Sequence, residues 1–388
     1  MSGEGLTKFT MPKWGLTMTQ GMVTKWLVEE GAEVEAGDEI VEIETEKISS
    51  AAESPASGVV RRQVAKEGDY VPVSGLLGVI SEPDVADDEI DGFVESFLGS
   101  FVPEEEADEG PAYQTVGVDG RSLRYLVRGD RSEGSNGSEP IVLIHGFGGD
   151  LNNWLFNHEA LAADRAVYAL DLPGHGGSSK DVGEGSVASL AAAVGGFADA
   201  LDLSQSGVHL VGHSLGGAEV LELCRTRPGL CISATLLASA GLGTEINADY
   251  VDGFIESERR RQLKPHLENL FADPSLVTRQ LIDDVLKFKR LDGVDAALRS
   301  ISAGFTAGGA QIVSLRDMLG QVDVPVQVIW GSEDAIIPAS HTDGLPDGVT
   351  VRKIAGAGHM AMMEAASDVN KAIANFTAQQ TLRSRGSL

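Results

Sequence analysis

The chain has 388 residues, of which 42% are hydrophobic and 23% charged, and its formal net charge at pH 7 is −28. This length and composition predict a globular protein of two or three domains. The strong negative charge argues against nucleic acid or an anionic membrane as a partner. Two cysteines cannot build a disulfide framework, and no cysteine–histidine cluster has zinc spacing. With no apolar stretch typical of a signal peptide or a membrane span, we expect a soluble cytoplasmic protein without a bound metal.

An acidic stretch separates a small N-terminal module from a larger C-terminal one. Residues 81–110 contain 12 Asp and Glu residues but no Lys or Arg, a composition typical of a solvated connector. We therefore expect a module at residues 1–80, an acidic linker at residues 81–110 and a second module at residues 111–388.

The linker also contains an apolar stripe. Residues 88–102 place Ile, Val, Leu and Phe side chains at spacings of three and four, which predicts an amphipathic segment with one apolar helix face. Because an exposed apolar stripe usually marks a docking surface, we expect it to bind a groove on the larger module or on a partner enzyme. The alternative is a disordered linker with incidental phenylalanines.

The N-terminal module contains an internal repeat. Gly21 aligns with Gly58, and Val23 with Val60, at an offset of 37 residues. Short alternating segments broken by glycine predict strands, and neither half could bury its apolar face alone. We therefore predict two quasi-symmetric antiparallel sheets that pack together. The turn-rich stretch between the halves predicts an exposed hairpin that carries Lys47.

This arrangement resembles a lipoyl domain, in which a lysine at a hairpin tip receives lipoic acid through an amide bond. The resemblance implies that Lys47, between Glu46 and Ile48, is the attachment residue. The related biotinyl domains carry Met-Lys-Met at the tip, which this sequence lacks. The alternative interpretation is that Lys47 is an ordinary solvated lysine.

The larger module carries four motifs, each at the end of a predicted apolar strand. The strand that begins at residue 139 runs into a His-Gly-Phe-Gly-Gly loop, and another ends in a Gly-His-Ser-Leu-Gly turn centred on Ser214. That turn fits the G-x-S-x-G nucleophile elbow. Asp334 follows a third strand, and His359 lies in a glycine-rich loop after a fourth. The order Ser214, Asp334, His359 is the nucleophile–acid–base order of α/β-hydrolases.

The resemblance to α/β-hydrolases implies a mostly parallel sheet with helices on both faces, and a role for each motif. Ser214 would be the nucleophile, His359 the general base and then acid, and Asp334 its orienting acid, with Glu333 as the alternative acid. The backbone N–H groups of Phe147 and Leu215 would form the oxyanion hole.

Residues 242–320 separate two strands by far more than an ordinary connection, and their apolar spacing predicts a helical cap over the active site. The cap contains a basic cluster that is a candidate site for a phosphorylated cosubstrate. The alternative is a solvated helix face that pairs with nearby acids. The cluster consists of Arg259, Arg260, Arg261 and Lys264.

A lipoyl arm and a covalent serine site in one chain together imply acyl transfer. The whole chain resembles the dihydrolipoamide acetyltransferase components of bacterial acetoin dehydrogenase complexes, which fuse a lipoyl domain to an α/β-hydrolase-like domain. This resemblance implies that an acetyl group moves from S-acetyl-dihydrolipoyl-Lys47 through Ser214 to coenzyme A, whose phosphates the basic cluster would contact. It also implies a thiamine-diphosphate-dependent acetoin dehydrogenase component and a dihydrolipoamide dehydrogenase as partners, and a homo-oligomer within the complex.

Two other functions remain open. With water as the acceptor, the same triad would make the chain a serine esterase or thioesterase. A lipoyl carrier with a vestigial hydrolase domain is the non-enzymatic alternative, and the complete triad argues against it. The sequence lacks the basic subunit-binding domain and the C-terminal His-x-x-x-Asp-Gly motif of other 2-oxo-acid dehydrogenase acyltransferases.

Overall fold

The computed structural model describes residues 6–12, 14, 18–45, 49–101, 113–129 and 139–386. The chain divides into an N-terminal unit, which consists mainly of residues 1–110, and a C-terminal unit, which consists mainly of residues 111–388. Lys47 and residues 102–112 lie outside the described residues. Among the helices that are described, none combines the length and the apolar character needed to cross a bilayer.

The described part of the N-terminal unit contains eight short strands and one helix. The strands are β1 Leu6–Thr10, β2 Gln20–Trp26, β3 Glu33–Val34, β4 Glu39–Glu44, β5 Ser49–Glu53, β6 Gly58–Gln63, β7 Tyr70–Pro72 and β8 Leu76–Ser81. They form two four-stranded sheets with the orders β1-β8-β6-β3 and β5-β4-β2-β7, and every pairing is antiparallel. The predicted all-β module with two antiparallel sheets is confirmed.

The sequence repeat is also a repeat of the fold. Strands β2, β3 and β4 recur as β6, β7 and β8, and the equivalent turn residues Gly31 and Gly68 share a left-handed φ of 91° and 92°. Each half gives its short strand to the other half's sheet, because β3 pairs with β6 and β7 pairs with β2. This exchange buries both apolar faces in one core, which neither half could form alone. The core includes Val23, Ile43, Val60 and Ile80.

The helix of this unit, α1 Asp87–Ser100, occupies the segment for which the sequence predicted an apolar stripe. Its apolar face packs on Leu76 and Val79 of β8, while Leu77 and Ile80 of the same strand face the core between the sheets. The helix contributes Ile90, Phe93, Val94 and Phe97 to this contact.

We expected this segment to bind a groove on the larger module or on a partner enzyme, and that expectation is wrong. Instead, α1 covers the outer face of a sheet in its own unit. The physical reason is that β8 is buried along its whole length, so its outer face needs a cover. Ion pairs fix the start of the helix, with Arg61 at 2.9 Å from Asp87 and Arg62 at 2.8 Å from Asp91. The acids of both pairs are exposed to water, which screens the attraction, so burial of the apolar face dominates the packing.

The C-terminal unit is built around an eight-stranded sheet with the order β18-β17-β14-β13-β11-β12-β10-β9. Its strands are β9 Gln114–Val118, β10 Arg121–Arg128, β11 Ile141–Ile144, β12 Val167–Leu170, β13 Val208–His213, β14 Cys231–Leu237, β17 Val326–Gly331 and β18 Thr350–Ile354; β15 Thr306–Ala307 and β16 Ala310–Gln311 form a separate hairpin. The first six strands of this sheet order, from β18 to β12, are parallel to one another. Strand β10 pairs antiparallel with both β12 and β9.

Helices on both faces of this sheet, together with further helices inserted between β14 and β17, complete the unit. They are α2 Leu155–Leu161, α3 Val187–Ala200, α4 Leu215–Thr226, α5 Ala248–Glu256, α6 Arg260–Glu268, α7 Arg279–Lys289, α8 Val294–Phe305, α9 Ala361–Glu364 and α10 Ala366–Gly386. Successive side chains of a strand point to opposite faces of a sheet. On one face, His209 of β13 contacts Thr381 of α10. On the other face, Gly212 of β13 contacts Gly216 of α4. The predicted α/β-hydrolase fold is confirmed.

Helices α5 to α8 and the β15–β16 hairpin lie between β14 and β17 in the chain, within the segment expected to form the cap. The neighbouring strands of the sheet are parallel, so their carboxyl ends meet at one edge. The loops that follow β11, β13, β17 and β18 all begin at that edge, and they carry the predicted active-site residues.

Candidate active site

Ser214 lies at the turn between β13 and α4. Its backbone has φ 54° and ψ −116°, a left-handed φ that costs on the order of 1–3 kcal/mol for a residue other than glycine. The flanking glycines are required, because a Cβ at Gly212 would lie 2.3 Å from the carbonyl oxygen of Gly216 and one at Gly216 would lie 2.6 Å from that of His145. The turn presents Ser214 at the amino terminus of α4.

His359 lies in the loop after β18, and Asp334 lies in the loop after β17. Nδ1 of His359 is 2.8 Å from Oδ2 of Asp334, and both side chains are buried. The Oδ1 of Asp334 accepts hydrogen bonds from the backbone N–H groups of Ile336, at 2.8 Å, and Ile337, at 3.0 Å. Both carboxylate oxygens are thus engaged, which fixes the orientation of the imidazole ring.

The alternative acid does not contact the histidine. Glu333 is exposed, and its carboxylate accepts a hydrogen bond from the Ser332 hydroxyl at 3.3 Å. The acid that the structure brings to His359 is therefore Asp334.

His213 links the serine turn to the histidine loop. Its Nε2 donates a hydrogen bond to the backbone carbonyl of His359 at 3.0 Å, and the two ring centroids are 4.6 Å apart. Burial lowers the pKa of His213 well below its usual value, so the ring is neutral. Among the described residues, the His359 ring is hydrogen-bonded to Asp334 and not to Ser214. The hydrogen bond between a catalytic base and its nucleophile often forms fully only when substrate is bound.

The loop after β11 passes close to Ser214. A Cβ at Gly146 would lie 2.8 Å from the Cβ of Ser214, so this loop passes directly over the serine turn. The N–H groups of Phe147 and Leu215 donate no hydrogen bond to another described residue. Two unengaged N–H groups beside a serine can stabilise an oxyanion that forms there.

Two buried histidines hold this loop in place. His145 accepts a hydrogen bond from the Leu172 N–H at 3.0 Å, and His175 accepts one from the Gly148 N–H at 3.1 Å, each through Nε2. Burial lowers the pKa of both histidines. Their Nδ1 atoms contact backbone carbonyl oxygens, so neither ring is available as a base.

The cap covers the loop with aromatic side chains. Phe147 contacts Phe254 of α5 and Phe305 of α8, with ring centroids 5.9 Å and 5.6 Å apart, and all three are buried. A Cβ at Gly148 would lie 2.6 Å from the Phe254 ring, so this close approach requires glycine. Apolar surface around the N–H donors strengthens their interaction with charge.

The basic cluster of the cap is partly neutralised. Arg260 forms an ion pair with Asp283, and Lys264 lies 2.6 Å from Glu268. A hydrogen bond to Asp283 raises the pKa of Arg260 above its usual value. Arg259 and Arg261 are exposed and form no ion pair with a described residue. Only these two keep their charge available for a phosphate.

Asp171, which belongs to none of the predicted site motifs, ties two active-site loops together. Its buried carboxylate accepts hydrogen bonds from the N–H groups of Leu151, at 2.9 Å, and Gly177, at 2.8 Å, and pairs with Arg124. The signal in the sequence was an acid directly between an apolar strand, β12, and a glycine-rich loop. A buried carboxylate with this many donors is a structural anchor.

The described residues on either side of Lys47 are consistent with a hairpin. Strands β4 and β5 pair antiparallel until Glu44 lies opposite Ser49. The segment between these two residues therefore begins and ends at adjacent positions, and Lys47 within it lies outside the described residues.

Both modules match known families. A family model described as "Biotin-requiring enzyme" matches residues 7–80, and one described as "alpha/beta hydrolase fold" matches residues 139–366. Among solved structures, a meta-cleavage product hydrolase from Pseudomonas fluorescens has a TM-score of 0.60 at 21% identity and covers 69% of this chain and 97% of its own. That likeness shows the fold alone.

Two curated relatives match nearly the whole chain, and both are called dihydrolipoyllysine-residue acetyltransferase component of acetoin cleaving system. The protein from Pseudomonas putida is 50% identical over 95% of this chain and 97% of its own length. The protein from Cupriavidus necator is 44% identical over 93% of this chain and 94% of its own length. The chain therefore belongs to the α/β-hydrolase-fold family and, within it, to the dihydrolipoyllysine-residue acetyltransferase components of acetoin cleaving systems.

Proposed function

We propose that Ser214, His359 and Asp334 act as nucleophile, general base and orienting acid in acetyl transfer to coenzyme A. The observation that carries the proposal is the 2.8 Å hydrogen bond between His359 and Asp334, at the sheet edge where β13 leads into Ser214. The N–H groups of Phe147 and Leu215 would stabilise the oxyanion. The overall reaction is that of the family: the acetyl group passes from a dihydrolipoyl-lysine thioester to coenzyme A.

Lipoic acid is the covalent cofactor of this acyltransferase, and we propose Lys47 as its attachment residue. The antiparallel pairing of Glu44 with Ser49 supports this assignment, because it closes the segment around Lys47. When attached, the lipoyl group supplies a thiol that carries the acetyl group as a thioester.

In the first half-reaction, Nε2 of His359 takes the hydroxyl proton of Ser214 as its Oγ attacks the thioester carbonyl carbon. The carbonyl oxygen becomes an oxyanion beside the N–H groups of Phe147 and Leu215. When the carbon–sulfur bond breaks, the protonated His359 returns its proton to the departing thiolate. The products are a free thiol and an acetyl ester on Ser214.

In the second half-reaction, His359 takes the proton of the coenzyme A thiol as the sulfur attacks the acetyl ester. The carbon–oxygen bond to Ser214 breaks, and His359 protonates the serine oxygen. Asp334 stabilises the imidazolium in both steps. Because water could replace the thiol, the outcome depends on which acceptor occupies the site under the cap.

Within the cap, Arg259 and Arg261 are the residues that we propose for contacts to the phosphates of coenzyme A. This proposal is supported by the positive charges of the two arginines, which form no ion pair with a described acidic residue. Arg260 and Lys264 would contribute only if their ion pairs with Asp283 and Glu268 opened.

The chain is one component of a multi-enzyme acetoin system. We propose that its partners are a thiamine-diphosphate-dependent dehydrogenase component and dihydrolipoamide dehydrogenase, that the chain forms a homo-oligomer in that complex, and that the complex is cytoplasmic. We further propose that the lipoyl module works with α1 as part of it, so that the connector begins near residue 101 and not at residue 81.

The experiment that tests this function supplies the purified lipoylated chain with acetyl-dihydrolipoamide, with and without coenzyme A, and measures acetyl-coenzyme A and acetate separately. The proposal predicts that acetyl-coenzyme A is the main product when coenzyme A is present. Acetate as the main product would instead indicate an esterase or thioesterase. Formation of neither product would indicate a carrier without its own catalysis.

A further inference from the structure

Glu364, at the end of α9, joins the histidine loop to the cap. Its Oε2 accepts a hydrogen bond from the N–H of Gly358, the residue before His359, at 2.7 Å. Its Oε1 accepts one from the N–H of Ala272, in the cap loop after α6, at 2.7 Å. One carboxylate thus bridges two segments that lie far apart in the sequence.

The same two segments touch through their backbones. The N–H of Met360 donates to the carbonyl of Leu270 at 3.0 Å, and a Cβ at Gly358 would lie 2.6 Å from the backbone nitrogen of Ala272. His359 is therefore held on both sides by contacts to the cap segment 270–272, and through its own carbonyl by His213.

Backbone N–H groups, and not a cation, hold the Glu364 carboxylate. Glu364 is partly buried, and it forms no ion pair with a described lysine or arginine. Burial raises its pKa, although the N–H groups of Gly358 and Ala272 act in the opposite direction. Because no cation offsets its desolvation, the carboxylate depends on these hydrogen bonds, one from the histidine loop and one from the cap loop.

We propose that Glu364 is a positioning residue that couples the cap to the general base. With the cap packed, its carboxylate holds Gly358, and through it His359, in register with Ser214. When the cap lifts, the bond from Ala272 breaks and His359 loses that support. The acetyl ester on Ser214 therefore reacts only when the cap is packed. In that state a bound thiol competes better than water for the acetyl group. This inference rests on the proposed role of His359.

The first test compares Glu364→Gln with Glu184→Gln, a change at an exposed glutamate in the loop before α3. Glutamine keeps one acceptor oxygen but turns its NH₂ group toward one of the two N–H donors. We expect kcat for acetyl transfer to fall by about tenfold or more, while KM for acetyl-dihydrolipoamide and for coenzyme A changes less than about twofold. Glu184→Gln should match wild type. A kcat of Glu364→Gln within about twofold of wild type would overturn the proposal.

The second test uses hydrogen exchange on the full chain. In Glu364→Gln, amides in residues 268–274 and in residues 355–361 should both exchange faster, while β13 remains unchanged. Faster exchange in only one segment, or in neither, would overturn the coupling. The two proposals can fail separately. If the proposed function is wrong, wild type forms no acetyl-coenzyme A. The exchange pattern reports the coupling between the two segments whether or not the chain is catalytically active.

Discussion

Nδ1 of His359 lies 2.8 Å from Oδ2 of Asp334, and Oδ1 of the same carboxylate is held by the N–H groups of Ile336 and Ile337. Neither side chain has room to turn, because both are buried. The carboxylate therefore selects the tautomer in which Nδ1 carries the proton and Nε2 is free to act as the base.

Asp334→Asn should lower kcat for acetyl transfer by about three orders of magnitude. The amide would place an NH₂ group either against Nδ1–H of His359 or against the N–H groups of Ile336 and Ile337. Steady-state kinetics would measure the loss. Glu333→Gln is the matched control and should stay close to wild type; an equal loss in that variant would mean that Glu333 shares the role.

Ser214→Ala should abolish acetyl transfer and the hydrolysis of simple esters together, each by about three or more orders of magnitude. The reason is that one hydroxyl serves both reactions. Parallel assays with acetyl-dihydrolipoamide and a chromogenic ester would check this result. Lipoylation of the same protein should be unchanged, since Lys47 belongs to the other unit.

Lys47→Arg should prevent covalent lipoylation when the protein is made in cells supplied with lipoate. Arginine keeps the charge but lacks the primary amine that forms the amide. Intact-mass analysis of wild type and variant gives the answer. An unmodified wild type under these conditions would contradict the assignment of Lys47.

Ile90→Ala should destabilise the N-terminal unit by about 2–4 kcal/mol, because Ile90 is fully buried between α1 and β8 and its truncation leaves a cavity. The full chain can be followed by hydrogen exchange over residues 76–97. Leu98→Ala is the matched control on the same helix, since Leu98 is 53% exposed, and should change stability by less than about 0.5 kcal/mol. Equal effects of the two changes would contradict the packing of α1.

The serine turn could be predicted from the sequence because its spacing is dictated by close contacts: no side chain fits at Gly212 or Gly216. The packing of α1 on β8 was not predicted, although the apolar run from Leu76 to Ile80 is typical of a strand buried on both faces. The stripe on α1 showed that an apolar face exists but not what it covers. The pairing of Arg260 with Asp283 likewise depends on how two cap helices pack, which local sequence does not encode.

The most direct test of the account is to look for the acetyl group on Ser214. The lipoylated chain would be mixed with acetyl-dihydrolipoamide without coenzyme A, quenched, digested and analysed by mass spectrometry, and a parallel sample would be chased with coenzyme A before quenching. We predict acetylation of the Ser214 peptide, and its loss in the chase with formation of an equal amount of acetyl-coenzyme A. An unmodified Ser214, together with a Ser214→Ala variant that still forms acetyl-coenzyme A at the wild-type rate, would contradict the account.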